Sequence, residues 1–161
     1  MNYGFIKVAS AIPSVRVGDV KYNTAQIENL IAQAEGQGVE VIVFPELSVT
    51  GYSCQDLFRQ EILLESAETA VMVLLDFTRK LNIIAIVGVP VVAGDLLLNC
   101  AVVIQQGEIL GIVPKTYLPN YNEFYERRWF ASSADLCHEE IRFAGHKMIM
   151  PAKSPIFTTS Q

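Results

Sequence analysis

The sequence predicts an α/β domain in which helices cover a mixed β-sheet, and two features carry that expectation. Segments with apolar residues at helical spacing alternate with short, continuous apolar runs rich in Val and Ile, the pattern of strands joined through helices. Two later runs, Leu98 to Ile104 and Glu108 to Val113, are separated only by Gln105-Gln106-Gly107, which reads as a hairpin turn and makes the sheet mixed.

Phe5 to Ile12 carries Val8, Ala9 and Ala11, ends at Pro13 and is followed by the polar, glycine-bearing Ser14 to Asp19, a strand and then a loop. From Asn23 the spacing changes to Ile27, Leu30, Ile31 and Ala34, one face of a helix that Gly36 and Gly38 stop. Val39, Val41, Ile42, Val43 and Phe44 form a run too continuous to have one wet face, so an interior strand covered on both sides is expected, ending at Pro45. A polar segment with Gly51 leads to a second helix, in which Leu63, Ala67, Ala70, Val71, Leu74, Phe77 and Thr78 recur at threes and fours. Ile83 to Val89 is the next buried strand and the hairpin follows, giving the order β-α-β-α-β-β-β. Beyond Lys115, Tyr117, Tyr121, Phe124, Tyr125, Trp129 and Phe130 crowd among charged and amide residues without a regular period, as in a folded surface lining a site. Ile141 to Phe157 holds short possible strands broken by Gly145, Pro151 and Pro155.

At 161 residues and 51% hydrophobic, the chain can bury one core, as one domain or a piece of one. Its 12 Lys+Arg against 17 Asp+Glu are spread along the sequence, which leaves no electrostatic footprint for nucleic acid or an anionic membrane. Gly94, Asp95 and Asn99 interrupt the longest apolar stretch, so no membrane span is expected. The N-terminus lacks the features of a signal peptide, and a cytoplasmic location is expected. Cys54, Cys100 and Cys137 form no CxxC pair, and His138 and His146 stand apart from any metal-ligand spacing, so reduced thiols and no metal are expected. Neither GxxxxGK[ST] nor GxGxxG is present, so no phosphate cradle is expected in this segment.

Two charges stand where apolar strands end. Glu46 follows Val41-Ile42-Val43-Phe44-Pro45 and Lys115 follows Ile109 to Pro114. Ligands gather at strand ends in α/β folds, so the two side chains can converge in space. Position alone favours a structural salt bridge or two unrelated rim charges, because buried charges are usually paired.

The wording around the pair adds a family resemblance. Phe44-Pro45-Glu46-Leu47-Ser48-Val49-Thr50-Gly51-Tyr52 and Pro114-Lys115-Thr116-Tyr117-Leu118-Pro119 resemble the glutamate and lysine segments of the nitrilase, or carbon-nitrogen hydrolase, superfamily. The Gly88-Val89-Pro90 and Leu98-Asn99-Cys100-Ala101 segments fit as well. Within it, KTYLPNYNEFYERRWF over 115–130 and Gly51-Tyr52-Ser53-Cys54-Gln55-Asp56-Leu57-Phe58 resemble the glutaminase domains of glutamine-dependent NAD synthetases.

The resemblance implies a four-layered α-β-β-α sandwich with mixed sheets, of which residues 1–161 would be an incomplete portion. It implies glutamine as substrate, Glu46 as general base, Lys115 as oxyanion stabiliser and a cysteine thiolate as nucleophile. Tyr52, Tyr121, Phe124 and Glu126 match positions that shape the amide pocket, with Glu126 placed to position Lys115 or the ammonia product, although packing explains such rings equally well. Arg127 and Arg128 are expected in salt bridges or subunit contacts.

None of the three cysteines has the family's setting of a sharp turn after a buried strand. Cys54 and Cys100 are expected to be inert, and the neighbours of Cys137, His138 and Glu139, would point away from it in an extended chain. Ser154 to Thr159 resembles the stretch ahead of the family's cysteine strand, so the nucleophile and an ATP- and Mg-dependent C-terminal synthetase domain are expected beyond Gln161. The segment alone is then expected to be inactive as a glutaminase, to have no cofactor of its own, to pass ammonia by a tunnel to the synthetase domain and to assemble as a homo-oligomer. A stand-alone amidase or carbamoylase, or a non-catalytic binding module on the same fold, are the competing expectations.

Overall fold

Asp19 opens the first helix, α1 (Val20–Gly36), by accepting the Tyr22 N–H at 3.1 Å, which satisfies one of the donors a helix start leaves free. In this computed structural model, which describes residues 4–136 and 140–150, α1 lies between strands β1 (Val8–Ser10) and β2 (Val41–Val43). The second helix, α2 (Glu61–Thr78), joins β2 to β3 (Ile84–Ala93), and β4 (Leu96–Gln105) and β5 (Glu108–Pro114) complete the sheet.

The strands lie in the order β1-β2-β3-β4-β5. The first three are parallel and the last three antiparallel, the mixed sheet that the sequence predicts. Both βαβ crossovers step in the same direction along the sheet, and α1 and α2 pack against each other on one face, as right-handed crossovers would place them. Ile27 and Ile31 of α1 and Val71 and Leu74 of α2 are fully buried there, with Ile42, Val87, Val102 and Ile112 sharing the sheet side by register.

The opposite face corrects the reading of β2. Expected to be covered on both sides, β2 buries Ile42 but leaves Val43 41% exposed, and Val8 beside it is 63% exposed. Among the described residues α1 and α2 cover one side only, and the other side of β2 is apolar but exposed.

The sequence also ended β3 too early. Pro90 reads as a stop, yet β3 pairs with β4 as far as Ala93. β2 reaches only Ile84 to Ile86, so Pro90 lies past its end, where a missing N–H breaks no ladder. The β4–β5 turn has Gln106 and Gly107 at φ 51° and 81°, the left-handed pair of a two-residue hairpin.

A second hairpin, β6 (Glu140–Phe143) and β7 (His146–Ile149), turns through Ala144 and Gly145. The Ala144 N–H donates to Glu68 Oε1 at 2.8 Å and fastens this hairpin to α2. His146 is a partly buried strand residue, its Nδ1 3.6 Å from Glu108 Oε2. The remainder of the 141–157 stretch lies outside the described residues. No helix among the described residues is long and apolar enough to cross a membrane.

Candidate active site

The turn after β2 aims Glu46. Leu47 takes φ 51°, the Gly51 N–H donates to Leu47 O at 2.7 Å, and the Val49 N–H donates to Gly88 O at 3.2 Å. The Gly88 N–H in turn donates to Ser48 Oγ at 3.2 Å. A Cβ on Gly88 would lie 2.2 Å from Leu47 N, so only glycine lets β3 support this turn so closely. Gly88 belonged to the motif wording, but its packing role was missed; a lone glycine inside a strand is the signal for such a backbone approach.

Lys115 is the first residue beyond β5. Its N–H donates to Asn99 O at 2.8 Å, which extends the β4–β5 ladder by one step. Strand alternation then puts its side chain on the face away from the helices, with that of Asn99. Lys115 Nζ donates to Glu46 Oε1 at 2.7 Å and to both oxygens of Glu126 at 2.9 Å. Asn99 Nδ2 donates to the same Glu46 oxygen, and Tyr52 Oη donates to Glu126 Oε1 at 2.8 Å.

Four of the residues singled out in the sequence, Glu46, Lys115, Tyr52 and Glu126, therefore share one hydrogen-bonded cluster. Asn99 is a fifth member that sequence reasoning missed as a site residue. An amide in the middle of Leu96-Leu97-Leu98 and Cys100-Ala101-Val102 was the available signal, since a buried polar group needs a partner.

The two carboxylates differ in kind. Glu126 is 2% exposed and has both oxygens occupied, the condition under which a charge tolerates burial. Glu46 is 40% exposed along its side chain and has donors on one oxygen only among the described residues. Burial opposes the charge on Lys115, but the hydrogen bonds it donates to Glu46 and Glu126, with their negative charge, outweigh it and raise its proton affinity, so the amine stays an ammonium. Burial and the bond to Glu126 push the Tyr52 phenol far up, which keeps it a donor.

The 115–136 arm is strapped over the cluster. The Glu126 N–H donates to Pro119 O at 3.2 Å, and the Ala131 N–H to Leu97 O at 2.8 Å. Outside the arm, Asp56 accepts from Arg128 Nε at 3.0 Å, from Arg128 Nη2 at 3.1 Å and from Trp129 Nε1 at 3.0 Å. This joins the arm to the 3-10 segment Tyr52–Arg59 that carries Tyr52, and gives Arg128 the salt bridge expected of it. Phe58 fills the space beneath, with ring centroids 4.9 Å from Phe130 and 6.3 Å from Trp129.

Tyr121 and Phe124 stack edge to face at 5.9 Å and make no hydrogen bond to the cluster, with Tyr121 65% exposed. A groove of about 810 Å³ between α1 and α2, lined by Thr24, Glu28, Glu65 and Thr69 among others, shares no residue with the cluster either.

Cys54 and Cys100 are both buried. Cys54 Sγ donates to Thr50 O at 3.1 Å, and Cys100 points from β4 to the helix-covered face, away from Asn99. Burial raises both thiols above their ordinary range, the opposite of what a nucleophile needs. Cys137, His138 and Glu139 lie outside the described residues.

An ammonium held between two carboxylates at the strand ends of an α/β sheet can stabilise an oxyanion beside a proton acceptor, the chemistry of acyl transfer from an amide. The chain belongs to the carbon-nitrogen hydrolase family, which it matches over residues 7–157. Among individual proteins, it is similar to the glutamine-dependent NAD(+) synthetase of Mycobacterium leprae, at 39% identity over 134 residues, 83% of this chain and 20% of that protein. It is also similar in structure to the glutamine-dependent NAD(+) synthetase of Cytophaga hutchinsonii, with a TM-score of 0.78, 27% identity, and coverage of 90% of this chain and 25% of that one. The corresponding enzyme of Acinetobacter baumannii gives a TM-score of 0.75 and 32% identity over 89% of this chain and 27% of that chain. The chain thus spans about a fifth to a quarter of the length of these relatives.

Proposed function

We propose that this chain forms the base-and-cation part of a glutaminase site that supplies ammonia for ATP-dependent NAD synthesis. The observation that carries the reading is the Lys115 ammonium bridging Glu46 and Glu126. The similarity to glutamine-dependent NAD(+) synthetases supports glutamine as the amide.

In this mechanism a cysteine outside the described residues gives its thiol proton to Glu46, and the thiolate attacks the glutamine carboxamide carbon. Lys115 meets the oxyanion as it forms, already oriented by Glu126 and Tyr52, so little reorganisation is needed. Collapse of the tetrahedral intermediate breaks the C–N bond as Glu46 returns the proton to the departing nitrogen, leaving ammonia and a thioester. Water, deprotonated by the same carboxylate, then cleaves the thioester to glutamate. Tyr121 and Phe124 are proposed to face the glutamine side chain as pocket walls.

The chain itself holds no cofactor in this reading. Among the described residues no group of His, Cys, Asp or Glu is placed to hold a metal ion. The similarity to glutamine-dependent NAD(+) synthetases is instead the ground for assigning ATP and Mg, in this reading, to a synthetase domain that would be the intramolecular partner of this one, within a cytoplasmic homo-oligomer.

The test uses the complete gene product. Glu46→Gln and Lys115→Met should each lower glutamine-driven NAD formation by about 10²- to 10⁴-fold, the range for losing a general base or an oxyanion donor. Synthesis from free ammonia should persist. Loss of both activities together would assign the pair a structural role. The 161-residue chain alone should release no ammonia from glutamine, and release that Cys137→Ala abolishes would place the nucleophile inside this segment.

A further inference from the structure

Asn99 is 4% exposed on β4 and reaches both charged members of the central ion pair. Its side-chain amide donates to Glu46 Oε1, while its main-chain carbonyl accepts the Lys115 N–H at 2.8 Å. Lys115 Nζ reaches the same Oε1 from another direction at 2.7 Å. A carboxylate tied by one donor to one oxygen can swing about its last torsion, which is broad for glutamate. Two donors from different elements fix its plane.

We propose that Asn99 is a positioning residue that determines which oxygen of Glu46 takes the proton. With Oε1 filled by Asn99 and Lys115, Oε2 is the oxygen without a donor among the described residues, and the incoming proton goes there. Glu126 is excluded from the same duty, because Lys115 and Tyr52 occupy its oxygens and its carboxylate is buried. A neutral amide suits the task. It aims the base without a second cation that would compete with Lys115 for Glu46, and it sits beside Pro90, whose backbone offers no donor of its own.

This inference rests on the glutaminase reading, and the experiment separates the two. In the complete gene product, Asn99→Leu removes the donor at similar volume, and Asn99→Asp keeps the shape but replaces the donor with an acceptor. Both should lower kcat for glutamine hydrolysis by about tenfold to a hundredfold, the worth of one hydrogen bond to a charged group, because the base is misaimed. KM for glutamine should stay within about twofold, since Asn99 acts through Glu46 and not on substrate. Asn99→Ser, a shorter donor, should recover part of kcat and serves if either larger change prevents folding. Wild-type kcat in the Leu and Asp variants, or an unchanged kcat with only a lower melting midpoint, would overturn the role of Asn99 while a dead Glu46→Gln leaves the glutaminase reading standing. Full glutamine hydrolysis in Glu46→Gln would remove that reading and this inference together.

Discussion

Gly88→Ala pushes on the turn that carries Glu46, and its effect can be worked from distances. The added Cβ would lie 2.2 Å from Leu47 N, 2.7 Å from Pro45 O and 2.8 Å from Glu46 C, all main-chain atoms that no rotamer change can move. Ordinary contact begins near 3.4 Å, so strand and turn must separate by about 1.2 Å. The two hydrogen bonds that span the gap, Val49 N–H to Gly88 O and Gly88 N–H to Ser48 Oγ, are already 3.2 Å long and would not survive that. Their loss at about 1 kcal/mol each, with about 1 to 3 kcal/mol of overpacking, costs about 3 to 5 kcal/mol. For a domain of this size that lowers the melting midpoint by roughly 10 °C, measurable by circular dichroism. A base displaced by about 1 Å costs about a hundredfold in rate, so glutamine hydrolysis should fall even where the variant is still folded. A Gly88→Ala protein with a wild-type melting curve and a wild-type rate would show that the turn does not rest on β3 as described.

Three further outcomes are expected. Phe58→Ala should cost about 3 to 5 kcal/mol in a denaturant titration, because the ring is 1% exposed and packs on Phe130 and Trp129; a change under 1 kcal/mol would mean that the site collapses freely. Asp56 is held down to about 2 by hydrogen bonds from Arg128 and Trp129. A depressed carboxyl stabilises the fold above its unfolded value and stops doing so as pH falls through its folded one, so the melting difference between wild type and Asp56→Asn should be present above about pH 4 and vanish near pH 2. A difference that grows on acidification has the wrong sign. Finally, Cys54 and Cys100 should resist iodoacetamide at pH 8 in native protein and react in urea, because burial holds both as thiols. Rapid native labelling at either, read by mass spectrometry, would contradict their burial.

Periodicity sufficed for much of the architecture. The element order from β1 to β5 and the Gln106-Gly107 turn were legible because alternation of period and a two-residue hairpin are local signals. What failed was non-local. Whether β2 is covered on both faces depends on which layers pack against it, and whether Pro90 ends β3 depends on how far β2 runs alongside. The convergence of Glu46 and Lys115 was readable from their places at strand ends together with the family wording around them. Asn99 and Gly88 were not read as site supports, because their roles arise only when β3 and β4 come to lie beside the two charged turns. Tyr121 and Phe124, named by the same match, stack edge to face on each other, an arrangement that the aperiodic aromatic spacing of the arm does not announce.

The aromatic arm is stapled at its root rather than at its tip. Ser133 N–H donates to Lys115 O at 3.0 Å and Ser132 Oγ to Thr116 O at 2.6 Å, so the chain leaves the end of β5 and returns to it. The entropy of closing such an excursion grows only slowly with its length, and those basal bonds already meet it. Insertions near Tyr121 and Asn122 therefore have somewhere to go without disturbing Lys115, and length variation among homologous arms should concentrate there.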